Sequence, residues 1–108
     1  MKTIYKYRFD MDKSEQTIEL PMGARILCVA NQLEHLTMWA VVDPRVQQTA
    51  ARRFYVIGTG QDNVPEDNDD GYILYRGTAQ FMGGLLVLHV FERVERYLSQ
   101  NPLRKGEL

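Results

Sequence analysis

Apolar and polar residues alternate along residues 3–9, where Tyr5, Tyr7 and Phe9 fall on one side and Lys6 and Arg8 on the other. That is the pattern of a strand with one wet face. The stretch DMDKS at 10–14 turns the chain, residues 16–20 set Ile18 and Leu20 together, and PMG at 21–23 ends the segment, because proline cannot donate to a ladder. Residues 25–30 and 36–42 are apolar on both faces and are joined by NQLE at 31–34, which predicts a hairpin of two central strands. Asp43 and Pro44 close the second of them, and the polar link 45–51 has room for one helical turn. Residues 53–59 form the next predicted strand. Five carboxylates between Asp62 and Asp70 would repel one another if packed, so 61–71 is expected as an exposed loop. Residues 72–81 and 85–92 bracket MGG at 82–84, whose glycines can take the positive φ of a tight hairpin. The period changes after Glu92: Val94, Tyr97 and Leu98 recur at three- and four-residue spacing and predict a short amphipathic helix followed by a loose tail.

The pattern therefore predicts an all-β fold of about seven mainly antiparallel strands in a small sandwich or partly open barrel, with a short C-terminal helix. Residues 1–92 form a single β domain and 93–108 the helix and tail. A chain of 108 residues, 44% hydrophobic and 25% charged, has the size and composition of one globular domain.

Charge and cysteine content narrow the partners. Lys and Arg number 13 against 14 Asp and Glu, for a net charge of −1, so no overall basic field draws in nucleic acid or an anionic membrane, and neither is an expected partner. The longest apolar run, 85–91 with His89 inside it, is far below the roughly 20 residues that span a bilayer. MKTIYKYRFD at 1–10 lacks the unbroken apolar stretch of a signal peptide. A cytoplasmic location is the expectation. The single cysteine, Cys28, lies between Leu27 and Val29 and is expected as a buried structural thiol.

Candidate chemistry is sparse. His89 alternates with apolar neighbours and is expected as a structural residue whose ring nitrogens find partners. A metal site needs three or four converging ligands, and one cysteine with two scattered histidines supplies none that is visible, so no metal or cofactor is expected. EDNDDG at 66–71 fits the first positions of a calcium loop, but the position that needs a bidentate glutamate is Gly77, and a solvated loop is the reading taken. GTG at 58–60 follows a strand without opening a helix, which leaves it weak as a phosphate site.

GTGQ at 58–61 is echoed by GTAQ at 77–80. Strand-end glycines explain the echo simply. Alternatively, Thr59, Gln61, Thr78 and Gln80 form a polar strip that reads a ligand. Nine of the thirteen basic residues are arginines, whose forks match phosphates and carboxylates, so Arg52, Arg53 and Arg76 together with that strip are the candidate anion or nucleotide site. Surface pairing of these arginines with the acidic loop is the structural alternative. No nucleophile, base and orienting acid fall at a recognisable spacing, and no catalytic residue is assigned.

The stretches MKTIYKY, QTIELPMGARILCVANQ, MWAVVDP, FYVIGTGQ and FMGGLLVLHVFE, within about residues 1–92, resemble a family of small uncharacterised proteins of bacteriophages and prophage regions. The resemblance implies a phage-encoded accessory protein inside a bacterial cell and assigns no catalytic residue. The expected function is a non-enzymatic protein-interaction module, homo-oligomeric and acting on a host or defence protein. The alternative is a β domain that binds an anionic metabolite or nucleotide.

Overall fold

The computed structural model describes residues 1–95. Seven strands follow in order: β1 (Thr3–Arg8), β2 (Glu15–Pro21), β3 (Arg25–Gln32), β4 (His35–Val42), β5 (Thr49–Gly58), β6 (Gly71–Phe81) and β7 (Leu86–Glu95). All pairings are antiparallel, and they build a three-stranded sheet in the order β1-β4-β3 and a four-stranded sheet in the order β2-β5-β7-β6. The sheets face each other as an open sandwich, because each strand has one side to hide: Leu36 and Met38 from β4 meet Phe54 and Val90 from β5 and β7 in the buried core. Phe9 stands edge-on to Phe54 with ring centroids 5.3 Å apart. The predicted all-β class is the observed one. Of the two predicted forms it is the sandwich, and among the described residues β1 pairs only with β4, so the sheets do not close into a barrel.

Both predicted hairpins form. Leu33 and Glu34 take φ of 51° and 64° in the two-residue turn between β3 and β4, a conformation that usually selects Asn or Gly. Between β6 and β7, Met82–Gly84 makes a tight turn closed by the Leu85 amide on the Met82 carbonyl at 3.2 Å, with positive φ at Met82 (52°) as well as at Gly83 and Gly84 (66° and 96°).

Three details differ from expectation. First, β3 is an edge strand, and a bulge at Leu27 breaks its ladder, with Ile26 opposite Ala40 and Cys28 opposite Trp39. A bulge lets two residues face one, so Leu27 and Cys28 both point outward while Ile26 and Val29 point in. Cys28 is therefore exposed, not buried. Second, β5 begins at Thr49, and the expected helical turn before it is a tight turn closed by the Val46 amide on the Asp43 carbonyl at 3.0 Å. Third, β7 runs through Glu95, where Val94 pairs with Tyr72 across the ladder to β6. Ladder pairing prevails over the helical spacing there, and the remainder of the predicted helix and tail, 96–108, lies outside the described residues.

The sheets touch where β6 bulges between Tyr75 and Gly77. A Cβ on Gly77 would lie 2.9 Å from the Val29 Cβ and 3.3 Å from its backbone nitrogen, so only glycine lets β6 lean on β3. On the far side of the four-stranded sheet, the acidic connection from β5 to β6 crosses β7. Arg93 holds it down by donating to the Glu66 carbonyl (3.3 Å) and the Asn68 side chain (3.1 Å), and Tyr55 and Ile57 are buried on that face. Among the described residues no helix is long and apolar enough to cross a membrane.

Candidate functional site

Two of the three arginines foreseen as an anion site, Arg52 and Arg76, are occupied by a carboxylate of the chain itself. Glu92, on the inner face of β7, is 2% exposed. Arg52 from β5 grips it with Nε on Oε2 at 2.7 Å and Nη2 on Oε1 at 3.1 Å, and its Nη1 donates to the Ala24 carbonyl at 2.7 Å. Arg76, at the β6 bulge, completes the cluster from the other side, with Nη2 2.8 Å from Glu92 Oε1. The bulge matters here because it turns Arg76 inward beside the Gly77 contact with Val29. Arg53 alternates to the outer face and pairs instead with Glu15 at 3.1 Å. None of these three arginines pairs with the acidic loop.

Gln61 and Gln80 are also separated. Gln61 Oε1 accepts from the Gly58 amide at 2.6 Å and closes the turn after β5, while the Gln80 carbonyl accepts from the Asn31 side chain at 2.8 Å. Arg52 and Arg53 border an open cleft of about 610 Å³ with Glu92, whereas Thr59 and Gln61 border a different one of about 680 Å³. The seven predicted residues do not make one pocket.

The two threonines of the echo do converge, on His89. β7 places His89 between β6 and β5, directly opposite Thr78 and Ile57. Thr59 Oγ1 lies 2.7 Å from Nε2, Thr78 Oγ1 lies 2.9 Å from Nδ1, and the Tyr75 hydroxyl lies 2.5 Å from Thr78 Oγ1. A neutral imidazole satisfies both hydroxyls by donating to one and accepting from the other. Among the described residues no carboxylate hydrogen-bonds the ring, so the row Tyr75–Thr78–His89–Thr59 has the geometry of a clamp between β6, β7 and the turn after β5 and lacks the orienting acid of a nucleophile–base pair. No three acidic, cysteine or histidine side chains among the described residues are placed to hold a metal ion.

A surface that sequence reasoning passed over is the outer face of the three-stranded sheet. Register fixes its rungs: Ile4, Val41 and Arg25 in the first, Lys6, Trp39 and Cys28 in the second, Arg8, Thr37 and Ala30 in the third. The bulge adds Leu27 beside Cys28. Ile4 is 55% and Leu27 43% exposed, and Trp39 and Val41 are half-buried between them. Three cations surround this apolar centre and no rung carries a carboxylate. Lys6 donates to Gln32 at 2.9 Å, while the side chains of Arg8 and Arg25 make no hydrogen bond or ion pair with any described residue. The alternation of Ile4, Lys6 and Arg8 was the available signal in the sequence. The bulge that brings Leu27 to the same face was not.

Comparison with known proteins adds a family and no activity. No curated protein and no solved structure matches the chain. One family model does, described as a domain of unknown function (DUF7352), and it spans residues 1–100, so both sheets and both clusters lie within it and the chain belongs to that family.

Proposed function

We propose that the protein is a non-enzymatic protein-interaction module and that the outer face of the three-stranded sheet is its contact surface. One observation carries this reading: Ile4 and Leu27 stand exposed beside a half-buried Trp39, inside a border of arginine and lysine. Interfaces have this anatomy, with aromatic and aliphatic anchors inside and a polar rim, and arginine enriched. The resemblance to phage and prophage proteins supplies the setting, a cytoplasmic accessory protein acting on a host or defence component. Between the two partners expected from the sequence, a second copy and a host protein, the geometry favours the latter, because stacking this face on itself would juxtapose arginines. The metabolite-binding alternative is less well supported, since Arg52 and Arg76 already hold Glu92 and only Arg53 of the three is turned elsewhere.

The test is capture from bacterial lysate on immobilised protein. The expected result is a defined retained protein that Arg25→Glu combined with Leu27→Ser releases and Arg53→Ala does not. Absence of any retained protein, or retention indifferent to the face, overturns the reading. A thermal-shift response to nucleotides that Arg53→Ala abolishes would restore the alternative, since a ligand of the native state raises apparent stability by mass action.

A further inference from the structure

We infer that the occupant of the outer face of the three-stranded sheet is an acidic protein segment that carries a large apolar side chain as its anchor. This rests on the reading of that face as a contact surface and goes on to name what docks there. Lys6, Arg8 and Arg25 all stand on one face of a chain whose net charge is −1, so the patch departs in sign from the molecule around it. The guanidinium groups of Arg8 and Arg25 have no partner among the described residues, and a guanidinium fork is matched by a carboxylate in bidentate geometry. The apolar centre between them is a row of aliphatic groups around one indole, and it accepts a leucine, methionine or phenylalanine laid across Ile4, Trp39 and Leu27.

The other occupants fit less well. A second copy stacked through the same face brings arginine against arginine, and one docked head to tail offers the loop from Asp62 to Asp70, whose exposed apolar side chain, Val64, is smaller than the leucine, methionine or phenylalanine that the centre accepts. Residues 96–108 of the same chain carry Arg96, Arg104 and Lys105 against Glu107, which is again the wrong sign. Single-stranded nucleic acid binds through successive stacked bases, and this face offers a single aromatic side chain, half-buried, among aliphatics that cannot stack a base.

The experiment uses the full chain and three fluorescein-labelled probes. One is a peptide of about twelve residues alternating aspartate and glutamate with leucine. The second is its asparagine and glutamine counterpart, and the third is an oligothymidylate of about twenty nucleotides. The acidic peptide is expected to bind with Kd on the order of 10 μM at low salt and to weaken by about tenfold as ionic strength rises to about 0.3 M. The neutral peptide and the oligothymidylate are expected to bind at least about tenfold more weakly than the acidic one. Arg8→Glu with Arg25→Glu should weaken the acidic peptide by about tenfold or more, as should Leu27→Ser on its own. All three positions are exposed, so circular dichroism should show an unchanged fold. The inference is overturned by equal binding of the neutral peptide, by tighter binding of the oligothymidylate, by indifference to charge reversal, or by a stable dimer near physiological salt that charge reversal dissolves. A host protein captured through the same face while the acidic peptide fails would overturn the acidic partner alone and leave the contact surface standing.

Discussion

Glu92 is the residue on which most of the four-stranded sheet's inner polar contacts converge. Its side chain is 3% exposed, and Arg52 and Arg76 are 20% and 23% exposed, so both charges opposing it are largely desolvated as well. Breaking such a pair from one side costs more than the pair contributes, because the remaining charge stays buried without compensation. Glu92→Gln keeps the size and an acceptor oxygen but leaves two guanidiniums facing each other, and is expected to lower stability by about 3 kcal/mol, measured by urea denaturation. Replacing all three by apolar residues of similar volume is expected to cost far less, within about 1 kcal/mol of the wild type. Glu34 acts differently. Its carboxyl is held below the usual carboxylate range first by the Asn31 amide and then by the Met82 backbone N–H, which ties the β3–β4 turn to the β6–β7 turn. A folded value below the unfolded one means that the contribution is complete above the ordinary glutamate pKa of about 4.3 and is lost as pH falls through the depressed folded value. Glu34→Gln should therefore flatten the fall of Tm at pH below about 4, recorded as melting curves across that range.

At the scale of elements, the two bulges decide where the chain departs from a regular ladder. The bulge in β6 and Gly77 let the two sheets touch at one margin, and Gly77→Ala would drive a methyl into Val29, whose Cβ and backbone nitrogen are 2.9 and 3.3 Å from it. Overpacking of that kind costs about 1–3 kcal/mol, so Gly77→Ala should unfold at lower denaturant concentration with an unchanged m-value. Val29→Ala keeps that Cβ and backbone nitrogen, so pairing it with Gly77→Ala should not recover the loss. This is also where sequence reasoning reaches its limit. Seven strands are legible because alternation and turn residues are local signals, and MGG at 82–84 and NQLE at 31–34 occupy the turns they predict. A bulge shifts alternation by one residue without marking the sequence, which is why Cys28 reads as buried and is exposed. Ladder pairing depends on the partner strand, so Val94 reads as helical and sits in β7 opposite Tyr72. The echo of GTGQ and GTAQ suggests threonines side by side on neighbouring strands, whereas β7 lies between them and Thr59 and Thr78 meet only through His89, which the register alone identifies. Glu92 lies 40 residues from Arg52 and 16 from Arg76, and no local pattern joins them.

Among the described residues, charge of opposite sign gathers on the two broad faces of the sandwich. The loop pinned by Arg93 to the outside of the four-stranded sheet contains Asp62, Glu66, Asp67, Asp69 and Asp70 with no base among them, while Lys6, Arg8 and Arg25 lie outside the three-stranded sheet with no acid among them. The near-neutral total thus conceals a dipole across the thin dimension, where the backbone measures 17 Å against 52 Å and 36 Å in the other directions. Such faces attract head to tail, a heterologous contact that does not close on itself. Screening decides whether the attraction is felt. The Debye length is about 30 Å at 0.01 M salt, longer than the molecule is thick, and about 8 Å at 0.15 M, well short of it. Light scattering should accordingly give a negative second virial coefficient at about 0.01 M salt that turns positive by about 0.15 M. Arg8→Glu with Arg25→Glu makes both faces acidic and should give a positive coefficient at either salt, whereas Arg53→Ala, which leaves the cationic face intact, should preserve the low-salt attraction. A coefficient that ignores salt, or one that charge reversal leaves negative, would mean that the division of charge between the faces does not govern how this molecule meets others.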